Sequence, residues 1–177
     1  MPYLTDTVRQ LRKYRKLAER AVAQVDDQRF FDAPAPHMNS IAIVMKHVAG
    51  NMRSRWTDFL TTDGEKPDRR RDTEFVIEPG DTRESLRDRW DAAWDRTIGT
   101  IEALTPADLD RTVTVRGEPH SVLEAVNRQL VHYAYHVGQI VMVARALVGD
   151  GWQWLSIPPG KSADFDVSKE GDRYAAG

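Results

Sequence analysis

Apolar residues return every three or four positions in four stretches of this chain, the spacing of a helix that buries one face. The first stretch runs from about Leu4 to Val25. It sets Leu4, Val8, Leu11, Ala18, Val22 and Val25 on one side and Arg9, Lys13, Arg20 and Gln24 on the other. Pro34 and Pro36 bar a helix from the segment that follows. The second helix is expected to open at Asn39 or Ser40, both good N-cap types, and to reach about Leu60. Its stripe is Ile41, Val44, Val48, Met52, Trp56 and Phe59. The third is expected to begin at Asp81, with Glu84 three positions on as a variant capping box. It carries Leu86, Trp90, Ala93, Trp94, Ile98, Ile101 and Leu104. Tryptophans spaced by four read as core or interface. The fourth runs from Ser121 as N-cap, with Glu124 as its box partner, to Val148 before Gly149.

The segments between are polar. Thr61–Gly80 is too charged to pack and too long for a tight turn. Its Arg69-Arg70-Arg71 run, flanked by Asp68, Asp72 and Glu74, reads as solvated loop rather than anion site. Thr112-Val113-Thr114-Val115 alternates and turns at Arg116-Gly117, which predicts a small hairpin or extended excursion. After helix four, Trp152, Trp154, Leu155 and Ile157 are expected to tuck a Gly/Pro/Ser-rich tail against the helices. The last ten residues read as disordered. No repeat and no second domain is visible. The expectation is one all-α domain over residues 1–177: a four-helix bundle with a small hairpin insertion before helix four and an irregular C-terminal tail.

Composition narrows the chemistry. The 177 residues carry 25 basic and 27 acidic side chains, so no excess of charge points to nucleic acid or an anionic membrane as a partner. The absence of cysteine excludes disulfides, thiolate metal sites and a cysteine nucleophile. No apolar run approaches a spanning helix and MPYLTDTVRQ lacks a signal-peptide core, so the cytoplasm is the expected compartment. Pro159-Gly160-Lys161-Ser162 echoes the end of a phosphate loop, but Leu155 stands where its first glycine belongs.

The histidines are more informative. His37 lies among loop prolines and His120 precedes helix four; both read as surface residues. His132 and His136, four apart on a helix, sit about 40° apart in azimuth and about 6 Å along the axis, so their imidazoles can converge on one ion. The helical wheel puts Leu123, Val126, Leu130, Ala134, Val137, Val141 and Val148 on the core azimuth. It places the two histidines on its flank with Ala125, Gln129, Gln139 and Val143. By spacing alone, ordinary paired or surface histidines are favoured over metal ligands. His47, at the edge of the second stripe, could reach across as a third donor, or serve as a hydrogen-bonded core-edge histidine.

One histidine early in helix two followed by His132-Tyr133-Ala134-Tyr135-His136-Val137-Gly138-Gln139 in helix four closely resembles the DinB-like superfamily of four-helix bundles. The resemblance covers nearly the whole chain in helix order and length. It implies that His47, His132 and His136 bind one divalent metal. Tyr135 stands where many relatives carry a further histidine, which leaves the triad intact but alters its surroundings.

Three imidazoles leave a divalent ion open to water or substrate. They fit zinc or nickel and are also compatible with iron or manganese. Asn51, Gln139 and Tyr135 are candidates to hydrogen-bond a ligand or substrate. The resemblance implies a metal-dependent transferase using a low-molecular-weight thiol, with a small-molecule thiol or electrophile as partner, and a homodimer. No catalytic side chain is assigned. The alternative is a structural or stress-related dimeric bundle in which any metal only braces helices.

Overall fold

The computed structural model describes residues 2–166. Its four long helices are α1 (Pro2–Val22), α2 (Ile41–Trp56), α3 (Arg83–Glu102) and α4 (Val122–Val148). A two-stranded antiparallel hairpin, β1 (Thr112–Val115) and β2 (Glu118–Ser121), precedes α4, with Val113 opposite His120. The fold is mainly helical, as the apolar spacing implies. Contacts run from α2 to α3, α3 to α1, α1 to α4 and α4 back to α2. Among the described residues no helix is long and apolar enough to cross a membrane. The tail residues expected to be disordered lie outside the described residues.

Helix ends differ from the sequence reading where a side chain from elsewhere takes over. α1 stops at Val22, where the chain tightens into i→i+3 turns (Gln24 N–H to Ala21, Val25 N–H to Val22), although Val25 remains buried; Arg83 of α3 donates to the carbonyls of Val22 (2.9 Å) and Val25 (2.7 Å). The Val22 carbonyl also accepts from the Val25 amide at 3.1 Å, so the guanidinium adds a second donor there and ties the start of α3 to the chain leaving α1. α2 opens at Ser40, whose hydroxyl accepts from the Ile43 amide, but closes at Trp56 rather than Leu60. Asp58 adopts a left-handed φ of 46°, which reverses the chain while Phe59 stays against Trp56. α3 is capped by Thr82 with Ser85, not by Asp81 with Glu84. Asp81 is withheld from capping because its buried carboxylate binds Lys46 at 2.6 Å and Arg89 at 3.0 Å. α4 keeps the expected Ser121–Glu124 capping box.

The larger departure is the segment between α2 and α3. Instead of a solvated loop, it straps across α2. Its 3₁₀ turn Arg71–Phe75 packs on that helix, and buried Lys46 holds its far end through the Val76 carbonyl, Glu78 and Asp81. Arg70 and Arg71 are exposed as expected, but the Arg69 side chain is only 2% exposed.

Trp90 and Trp94 are core. The central residue of α4 is Tyr133, fully buried, with Val122, Ala125, Val126, Gln129, Val137 and Ile140 on the same face. The core azimuth is therefore rotated from the one read by periodicity, and Leu123 is exposed. The rotation has a cause: Tyr133 accepts a hydrogen bond from Trp56 Nε1 (2.9 Å) and donates to Asn51 Oδ1 (3.3 Å), tying α4 to α2. In the tail, Leu155 is buried and Trp152 packs against the core. Trp154 lies under Arg145 and Ile157 is half-buried.

Candidate metal centre

His47 lies in the middle of α2, and His132 and His136 occupy consecutive turns of α4 where those helices meet. One nitrogen from each of the three imidazoles falls within 4.8 Å of the others. The Nε2 atoms of His132 and His136 are 3.1 Å apart. Ring centroids stand 4.9 Å apart for His47 and His136 and 5.7 Å for His47 and His132. His47 is buried and the other two are half-buried, so the cluster opens toward one side. His37 is exposed. His120 is half-buried on β2, with Nε2 shielded from solvent.

Hydrogen bonds at Nδ1 set the tautomer of two of the three rings. His47 Nδ1 is 2.8 Å from Glu74 Oε2, and a carboxylate can only accept there, so Nδ1 carries a proton and in the neutral ring the Nε2 lone pair is free. His136 Nδ1 is 2.8 Å from Gln139 Oε1, which fixes the same tautomer. Gln139 in turn donates from Nε2 to the Tyr135 hydroxyl at 3.0 Å. His132 has no such partner: its Nδ1 and Gln129 Oε1 are both buried and unpaired. Without an ion, His132 satisfies His136 by donating from Nε2. As a ligand through Nε2 it would carry its proton on Nδ1, and Gln129 Oε1, three positions away, is an acceptor of the kind that Gln139 provides for His136. The donor set and its orphaned atoms thus fit a divalent cation.

The electrostatics agree. Burial pushes His132 down to about 3, helped by His136, His47, Arg55 and Arg69. His136 is also lowered, by burial and His47, against an opposing bond from Gln139. Both are neutral at pH 7, the state a metal requires. Burial alone would raise Glu74, but bonds from His47 and Arg69 outweigh it and hold this carboxylate below its ordinary value.

Glu74 was not identified from sequence. It comes from the strap, is 6% exposed, and is gripped by Arg69 through Nε (2.8 Å) and Nη2 (2.9 Å). Gly50, one turn beyond His47, makes room for it: a Cβ there would come within 2.8 Å of Glu74 Cδ and closer still to Oε1. The only signal in the sequence was the general need of a ligating histidine for an acceptor behind it, and nothing in DRRRDTEF marks which acid serves. Of the polar candidates, Gln139 and Tyr135 form the chain behind His136. Asn51 bonds Tyr133 and lines a cavity beside His47 and His132.

No curated protein and no solved structure matches the chain. A family model does match, over residues 1–161, which include all four helices, the strap and the three histidines. The chain belongs to the family described as protein of unknown function (DUF1572).

Proposed function

We propose that the protein holds one divalent metal ion between His47, His132 and His136 and leaves room on it for a small-molecule guest. The arrangement carrying this reading is the convergence of three imidazoles, two of them with Nδ1 engaged by Glu74 and Gln139 so that Nε2 is the nitrogen left for an ion. The closed ring of contacts among α2, α3, α1 and α4 supports the DinB-like four-helix bundle of the sequence resemblance. Zinc or nickel suits the donors, with iron or manganese also compatible. When bound, such an ion supplies Lewis acidity, which lowers the pKa of a thiol or water and polarises a carbonyl.

The residues of the chain do the rest. His132 and His136 present neutral nitrogens from α4, and Glu74 steadies His47 while sharing the charge its ring acquires. The buried wall of α2 keeps water from one side. The reaction class supported by the resemblance is transfer of a low-molecular-weight thiol to an electrophilic small molecule. The S–H bond gives way to an S–C bond, the electrophilic carbon releases its leaving group with the electron pair of the bond that joined them, and the thiol proton passes to solvent. Because the chain has no cysteine, the thiol comes from outside. The purely bracing reading is less favoured, because Trp56, Tyr133 and Asn51 already tie α2 to α4 without an ion.

Metal analysis of protein purified without chelator tests the site. We expect stoichiometric metal in the wild type and its loss in His132→Ala and His136→Ala, with unchanged circular dichroism. Metal loss accompanied by unfolding would favour bracing. For the reaction, metal-loaded protein should accelerate conversion of an electrophile by a small thiol. A rate equal to that of chelator-stripped protein would exclude the transferase assignment.

A further inference from the structure

Beside the histidines, and sharing His47 and His132 with them, lies a cavity of about 180 Å³ walled mainly by arginines. Arg55, Arg69, Arg71, Arg116 and Arg128 reach it from α2, the strap, the hairpin turn and α4, and no carboxylate lines it. The nearby acids do not balance them. Glu65 is shared among Arg55 (3.7 Å), Arg69 (3.2 Å) and Arg116 (3.3 Å), and Glu74 is committed to Arg69 and His47. Arg71 reaches Asp72 only at 4.0 Å.

Arg55 is the telling member. It lies two turns beyond His47 on α2, is 2% exposed, and both its Nε and Nη1 are buried without a hydrogen-bond partner. Burial lowers its pKa, the mark of a cation short of compensation. A guanidinium carries five donor hydrogens, and leaving several of them dry and unpaired is costly. The chain nevertheless builds this placement: Gly64 faces the side chain so closely that a Cβ would come within 2.8 Å of Nη1 and 3.0 Å of Cδ. Gly64 itself is pinned through its amide to the Thr114 carbonyl and through its own carbonyl to Ser54. Buried donors held ready and unpaired beside a candidate reaction centre are what an acceptor-rich guest would satisfy.

We propose that this cavity is an oxyanion subsite, in which Arg55 and Arg128 bind the carboxylate or phosphate group of the small molecule presented to the three-histidine centre. The proposal deepens the preceding reading, on which it rests for the anion's use but not for its binding. It narrows the substrate class: the thiol or its electrophilic acceptor carries an oxyanion group.

Calorimetric titration of succinate and of inorganic phosphate at low ionic strength tests this, using wild-type protein both chelator-stripped and zinc-loaded, and the His136→Ala variant. His136 does not line the cavity, so its loss removes a metal ligand while leaving the subsite intact. We expect at least one probe to bind all three forms, and the tighter one identifies the recognised group. Exposed Arg128→Ala and buried Arg55→Met should each weaken binding by about tenfold or more. Arg55→Met should also raise the melting temperature of the unliganded protein, because it removes a buried cation whose Nε and Nη1 lack hydrogen-bond partners. Failure of both probes to bind any form, or Arg55→Met binding as the wild type does, would overturn the proposal. Anion binding by protein that never retains metal would preserve the subsite and refute the metal reading instead.

Discussion

Gly50→Ala is the smallest change that separates the support of the metal centre from the centre itself. The added methyl would stand 2.8 Å from Glu74 Cδ, inside van der Waals contact, so the carboxylate must retreat by roughly an ångström. The bond from His47 Nδ1 to Glu74 Oε2, now 2.8 Å, would then exceed hydrogen-bonding distance. All three histidines remain, but His47 loses the partner that orients its ring and fixes its tautomer. Losing such support costs metal affinity about 10- to 100-fold, which is about 1.4–2.7 kcal/mol. Competition against a chromophoric zinc chelator measures the difference. Gly99→Ala is the control: that position in α3 has nothing within 4 Å of its added Cβ. It should leave affinity unchanged and stabilise the helix by about 0.5–1 kcal/mol. Wild-type zinc affinity in Gly50→Ala would refute the idea that Glu74 positions His47.

Tyr133→Phe strands the Trp56 indole N–H, now bonded at 2.9 Å, and should cost about 1–3 kcal/mol in a urea titration; an unchanged midpoint would contradict the tie between α2 and α4. For metal-free protein, His132 stands at about 3 when folded against 6.5 when unfolded, so the unfolded chain binds more protons between these values. Stability should therefore fall as pH drops from about 6.5 toward 3, and His132→Gln should flatten that slope in thermal melts across this range. A homodimer, implied by the DinB resemblance, would have exposed Val131, Tyr135 and Met142 of α4 to bury. Sedimentation velocity should then show a dimer that Val131→Glu dissociates, and a monomeric wild type would remove this expectation.

Legibility followed periodicity. α4 was readable because Ser121 and Glu124 announce its start, and its pattern lasts 27 residues. His132 and His136 were readable because the helical repeat alone puts them side by side. His47 was open between a third donor and a core-edge histidine by its position alone, and joined the set through the DinB resemblance. What stayed hidden depends on partners distant in sequence. Asp81 looks like an N-cap until Lys46, 35 residues earlier, claims it, so the cap passes to Thr82. Glu74 and Arg69 sit in a run with no repeat, where charge density suggests solvent. They are buried because each pairs with the other against α2, while His47 and Glu65 take their remaining bonds. Tyr133 was missed as the core centre because an aromatic hydroxyl reads as amphipathic until Trp56 and Asn51 supply its hydrogen bonds.

An anomalous-difference map at the absorption edge of the metal found in chelator-free protein tests the central claim most directly. The account predicts one strong peak enclosed by the Nε2 atoms of His47, His132 and His136, with at least one coordination position not taken by protein. A peak elsewhere, or no peak with the three imidazoles turned apart, would contradict it.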